Sequence, residues 1–184
     1  MLATVAIALT AVYLFSMLFV LAPHKVGYSH FRHTISEIGE SGAQHERFVA
    51  WGLFLPVGLV LLVVAWFARP AAPAVAALAS CIAVGYVGAA LFPCDPGSPL
   101  AGSMRQTLHN LAGAVQYVGG GFALMTLARE SGQPFQAAGF LVLATAVGLS
   151  IVPSGAGRGL LQRMAELCLF ASLALAFWRL QPGG

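Results

Sequence analysis

LATVAIALTAVYLFSMLFVLA, residues 2 to 22, carries no charged side chain. At about 1.5 Å of rise per residue, a helix of this length matches a hydrocarbon core of about 30 Å. A secretory leader would place basic residues ahead of a shorter apolar core, so the stretch reads as a retained membrane span. Working outward, apolar stretches of similar length recur at 48–68, 71–92, 106–128, 135–152 and 160–178. The expected fold is all-α: a polytopic transmembrane bundle of six helices forming a single domain over residues 1–184.

Composition agrees with this reading. Of the residues, 59% are hydrophobic and 8% charged, and the mean hydropathy of +0.84 lies outside the range of soluble globular chains. A net charge of +3 could point to nucleic acid, yet the nine Lys and Arg are scattered singly, with no run able to follow a phosphate backbone. Nucleic acid is therefore excluded as a partner, leaving membrane lipid and a larger membrane complex as the candidates. Cys81, Cys94 and Cys168 form no CxxC pair and imply no disulfide framework.

The connections differ in kind. Arg69-Pro70 and residues 129–134 (RESGQP) read as tight returns, since Pro cannot continue a helix and Gly tolerates the left-handed position after one. The first, third and fifth connections are longer and more polar, and alternation puts all three on one side of the membrane. That side holds six Lys and Arg (Lys25, Arg32, Arg47, Arg105, Arg158, Arg163) against three on the other (Arg69, Arg129, Arg179). The positive-inside rule then faces it to the cytoplasm, but discounting the residues also assigned to a site leaves a near tie. Arg47, Arg105 and Arg163 recur at a spacing of 58 near the even-numbered helix starts, a pattern that suggests three helical hairpins. Ala77, Cys81, Gly85 and Ala89 make a smooth ridge on the third span where a neighbouring backbone can approach closely. Pro56 and Gly119-Gly120-Gly121 are expected kink points.

The polar loop His24 to Arg47 concentrates four of the five histidines and three of the six acids. Within it, Thr34-Ile-Ser-Glu37 fits a capping box, in which hydroxyl and carboxylate each satisfy a free amide at a helix start. His30 and His33 lie one helical turn apart. A metal needs more ligands than that, and His24, His45, Glu37, Glu40, Asp95 and His109 are the remaining candidates. Neither HExxH nor a Cys/His cluster is present. Metal identity stays unknown, with haem ligation by His109 and a loop histidine as an open alternative.

Asp95 stands in a turn-rich third loop, Phe92-Pro-Cys-Asp-Pro-Gly-Ser-Pro99, which leads into a polar stripe of Arg105, His109 and Gln116. On the last span Arg158, Gln162 and Glu166 repeat every four residues beside Arg163. Charges at such depth cost about 2.5 to 3.5 kcal/mol on insertion scales and normally pair inside the bundle. Glu166 is therefore expected to pair with Arg163 or Arg105.

The run Tyr28-Ser-His-Phe-Arg-His-Thr-Ile-Ser-Glu-Ile-Gly39, the Phe92-Pro-Cys-Asp95 turn and Arg105-x-x-x-His109-Asn110 resemble domain-of-unknown-function family 998 over most of the chain. The family comprises small six-span membrane proteins of prokaryotes. The resemblance implies a multi-pass fold in the cell inner (plasma) membrane and a signature of His33, Ser36, Glu37, Asp95, Arg105 and His109, without naming a reaction.

These residues lead to an expected polar cavity at one leaflet that binds, and in an enzymatic version transforms, a lipid-like or quinone-like molecule. His33, Asp95 or His109 would serve as acid or base, Ser36 as nucleophile without a G-x-S-x-G elbow, and Glu37 or Glu166 as orienting group. His30, Arg105, Arg158, Gln162, Arg163 and Glu166 would contact the ligand. The alternative is a non-catalytic accessory subunit or a sensor whose histidines titrate near neutral pH.

Overall fold

The computed structural model describes residues 1–180, which contain six principal helices, two short helical turns in the first connection (Ala22–His24 and Ser36–Gly39) and no strand. They are α1 (Leu2–Leu21), α2 (Phe48–Ala68), α3 (Pro73–Leu91), α4 (Met104–Ser131), α5 (Phe135–Ile151) and α6 (Arg158–Arg179). Five are long and apolar enough to cross a membrane. The exception is α5, whose 17 residues reach about 26 Å, slightly short of a hydrocarbon core of about 30 Å.

Local chemistry sets the helix ends. Pro73 opens α3 where its missing N–H is no loss. Ser103 caps α4 by accepting the amide of Gln106 at 3.2 Å, which starts that helix two residues earlier than the apolar pattern alone places it. Gly132, at φ +66°, ends α4 in a conformation side chains resist.

Consecutive helices pack against one another, α6 closes against α1, and α3 meets α6 across the middle. Leu78 and Ile82 of α3 and Leu169 and Leu173 of α6 are fully buried there. The small-residue ridge of α3 does receive a neighbour: a Cβ added at Gly85 would overlap the Gln116 side chain, and one at Gly88 would overlap Ala112. Both expected kinks coincide with wide helical turns, Phe48–Phe54 just ahead of Pro56 and Val115–Gly119 just ahead of Gly120. The second turn points two successive side chains, Gln116 and Tyr117, into the bundle.

The three long connections interlock into one polar cap. Ser41 N–H donates to Cys94 O at 2.8 Å, and Gly97 N–H donates to Glu40 Oε2 at 2.8 Å. Lys25 pairs with Glu40 at 2.6 Å and also donates to the Glu37 carbonyl. The first amides of α6, which have no partner inside their own helix, donate to the polar loop: Leu160 N–H to Phe31 O at 2.9 Å and Gly159 N–H to Arg32 O at 3.4 Å. This seat requires a glycine, because a Cβ at residue 159 would overlap the carbonyl oxygens of His30 and His33. Gly159→Ala should destabilise the fold by about 1 to 3 kcal/mol. A lowered unfolding midpoint in detergent, with faster proteolysis confined to residues 24–47, is the expected result.

Candidate functional site

Beneath the cap lies a cavity of about 320 Å³ bounded by α3, α4, α5 and α6. Ser36, His109, Arg158, Gln162, Gln116 and Tyr117 form its polar wall, and Ala89, Val118, Ala146 and Leu149 its apolar wall. Ala114, Val118 and Ser150 on its rim are exposed, so it opens sideways between α4 and α5.

Ser36 is placed by the expected capping box. Thr34 N–H and Oγ1 donate to Glu37 Oε1 at 2.7 and 3.0 Å, and Glu37 N–H returns to Thr34 Oγ1 at 3.4 Å. The box holds the buried turn Ser36–Gly39, on which Ser36 Oγ lies 3.1 Å from His109 Nε2. His109 Nδ1 lies 2.8 Å from Phe92 O. A carbonyl oxygen can only accept, so Nδ1 carries a proton, and in the neutral imidazole Nε2 presents its lone pair to the serine.

Arg158 is 6% exposed. Its protein acceptors, Ser98 O at 2.7 Å and Ser154 Oγ at 3.4 Å, are both served by Nη1, and its buried Nε has none. Among the described residues the ion pairs are Lys25–Glu40 and Arg105–Asp95, so no carboxylate is in contact with Arg158, and the Glu37 charge acts on it only from a distance.

Below the cavity floor, Glu166 is 2% exposed and fully hydrogen-bonded. Tyr117 Oη and Gln116 Nε2 donate to its Oε1 at 2.6 and 2.7 Å, and Tyr86 Oη donates to Oε2 at 2.8 Å. Gln162 links this cluster to the cap, accepting from Ile35 N–H at 2.6 Å and donating to Tyr117 Oη at 3.1 Å. The expected ion pair of Glu166 with Arg163 or Arg105 does not form. Arg163 instead clamps the polar loop, donating to His30 O, His33 O, Gly159 O, Tyr28 Oη and His30 Nδ1 at 2.6 to 3.0 Å.

Of the residues singled out in the sequence, Ser36, His109, Gln116, Arg158 and Gln162 converge on the cavity, with Glu166 one layer beneath. The rest lie elsewhere. Glu37 is taken up by the capping box. His33 Nδ1 accepts from Ser29 N–H at 2.9 Å while its ring stacks on Tyr28. Burial, and then the Arg163 charge, hold the His30 pKa below its ordinary value, consistent with a ring nitrogen that accepts from Arg163. Asp95 accepts from Ser103 N–H and Oγ at 2.7 Å each and from Arg105 at 3.3 Å, securing the third loop to α4. It does not reach His109, so no Ser-His-Asp triad is formed. Cys94 is an inert thiol there, its pKa pushed up to about 12, first by burial and then by the nearby Glu40 charge. Among the described residues no three His, Cys, Asp or Glu side chains converge as a metal ion would require.

Hydrogen bonds from the Ser103 amide and hydroxyl, with Arg105 beside them, hold the Asp95 carboxyl below its ordinary range. A depressed folded value means that this tie is complete above the ordinary aspartate pKa and is lost as pH falls through the lower one. Amide exchange in residues 95–106 should stay protected through mildly acidic pH and accelerate only below it. Asp95→Asn, which keeps the side-chain size but loses the charge, should remove that pH dependence.

Tyr86 and Tyr117 escaped the sequence reading. Each is an aromatic residue in an apolar span, where packing is the ordinary role, and only their hydroxyls meeting at one carboxylate sets them apart.

The fold and cavity together describe a multi-pass helical membrane protein with a polar site beneath one polar cap. The chain belongs to the family described as protein of unknown function (DUF998), whose model matches residues 4–179. No curated protein and no solved structure matches it.

Proposed function

We propose that the protein crosses the cell inner (plasma) membrane six times as one domain and holds, in this cavity, a lipid-like molecule with an anionic head group. The observation that carries the proposal is Arg158: a buried guanidinium on the cavity wall with an N–H that has no protein acceptor and with no carboxylate in contact with it. Leaving such a charge unpaired is costly, and a bound anion would relieve the cost. A guanidinium also suits phosphate or carboxylate oxygens, which it can bind through two parallel donors. A cavity of about 320 Å³ takes a head group rather than a whole lipid, and its sideways mouth would let the chains remain in the bilayer. A neutral quinone ring could accept a hydrogen bond from Arg158 but would bring no charge to balance it, which favours the anionic lipid-like ligand.

The test is native mass spectrometry of protein taken from bilayers of equal phosphatidylglycerol and phosphatidylcholine. Retention of about one phosphatidylglycerol per chain supports the reading. Equal retention of both lipids, or of neither, contradicts it, and a stoichiometric protein partner in place of lipid would support an accessory subunit.

A further inference from the structure

We infer that the Ser36–His109 pair is the nucleophile and base of an acyl transfer reaction on a carboxylic ester of the lipid in this cavity; this rests on the proposed anionic lipid site. Three observations carry it. Ser36 Oγ and His109 Nε2 are 3.1 Å apart, within the reach a base needs to take a hydroxyl proton. The Phe92 carbonyl fixes the tautomer that leaves Nε2 free to accept. Both side chains line the cavity that contains Arg158, with which no carboxylate is in contact.

The reaction balances without an oxidant or metal. Ser36 Oγ attacks the ester carbonyl carbon as its proton passes to His109 Nε2, giving a tetrahedral intermediate whose oxygen bears one negative charge. Collapse breaks the ester C–O bond, and His109 returns the proton to the departing alcohol. Water, or a second alcohol, then attacks the acyl-Ser36 with its proton passing to His109. Collapse releases the acid or the new ester and restores the Ser36 hydroxyl. The alternative of attack at phosphorus is less well matched. A phosphoryl group in transfer spreads charge over three oxygens and calls for several cations, whereas the cavity presents one arginine. The backbone carbonyl behind His109 carries no full negative charge to stabilise the imidazolium, so a slow enzyme is expected.

The experiment uses the full chain in phosphatidylglycerol bilayers, with an alkyl fluorophosphonate as probe and peptide mass spectrometry as readout. Stoichiometric modification of Ser36 is expected, abolished in Ser36→Ala and slowed about 10²- to 10⁴-fold in His109→Gln. Unfolding midpoints report whether each variant is folded. Should His109→Gln fail to fold, wild-type protein given phosphatidylglycerol labelled in its acyl chains provides the second measurement, with labelled acid or new ester as the expected product. A folded wild-type protein that retains phosphatidylglycerol yet leaves Ser36 unmodified and the lipid intact overturns the acyl transfer inference while the binding reading stands. Failure to retain phosphatidylglycerol at all overturns the binding reading, and this inference with it.

Discussion

Glu166→Leu is expected to be the most damaging single substitution in the protein. It strips the acceptor from Tyr86 Oη, Tyr117 Oη and Gln116 Nε2 at once, in the interior where α3, α4 and α6 meet. Hydrogen bonds inside membrane proteins are individually modest, about 0.6 to 1.7 kcal/mol, because the separated helices also find partners. Three lost together, with buried donors left unmet, should cost about 2 to 5 kcal/mol. Glu166→Gln keeps the shape but turns one acceptor oxygen into a donor facing groups that already donate, so it should fall between Leu and wild type. The origin of the loss can be checked by subtraction. Adding Tyr86→Phe and Tyr117→Phe to Glu166→Leu removes the orphaned hydroxyls and should recover much of the unfolding midpoint in detergent. If Glu166→Leu unfolds at the wild-type midpoint, the cluster does not hold the bundle together.

The second large effect is on binding. Arg158→Gln should weaken retention of an anionic lipid by about 30-fold or more, corresponding to the loss of about 2 kcal/mol or more for a desolvated charge pair. Arg158→Lys should recover part of this, since the charge remains while the second donor direction does not. The same variants should weaken retention of phosphatidylcholine, whose phosphate is balanced by its own choline, much less, and an equal loss for both lipids would point to a collapsed cavity instead of a lost anion partner.

Much of the architecture was legible because membrane helices announce themselves in long uncharged stretches. Five of the six helices follow from that signal, and the sixth is apolar enough to be recognised despite Arg163 and Glu166. The two short returns follow from Pro and Gly placement, and the Thr34–Glu37 capping box from its spacing. Topology put the three polar connections on one side, and they do interlock there.

The pairing of the polar side chains was not legible. Spacing along α6 put Arg163 beside Glu166, but a helix gives each residue its own direction: Arg163 turns up into the loop carbonyls, and Glu166 turns inward to two tyrosines. Its place in the turn-rich third loop suggests Asp95 as a catalytic acid or base, yet the carboxylate is taken up by the Ser103 amide and hydroxyl. Ser36 and His109 are 73 positions apart in the chain, and no periodicity could bring them together. Their meeting depends on the capping box and on the seat of the polar loop at Gly159, which are local features acting at long range.

The measurement that bears most directly on the account is an experimental structure of the full chain in bilayers containing phosphatidylglycerol. The account predicts density in the cavity between α4 and α5, with a head-group oxygen within hydrogen-bonding distance of Arg158 and acyl chains leaving past Val118 and Ser150. An empty or water-filled cavity, with the Arg158 guanidinium turned to a carboxylate of the protein, would contradict it.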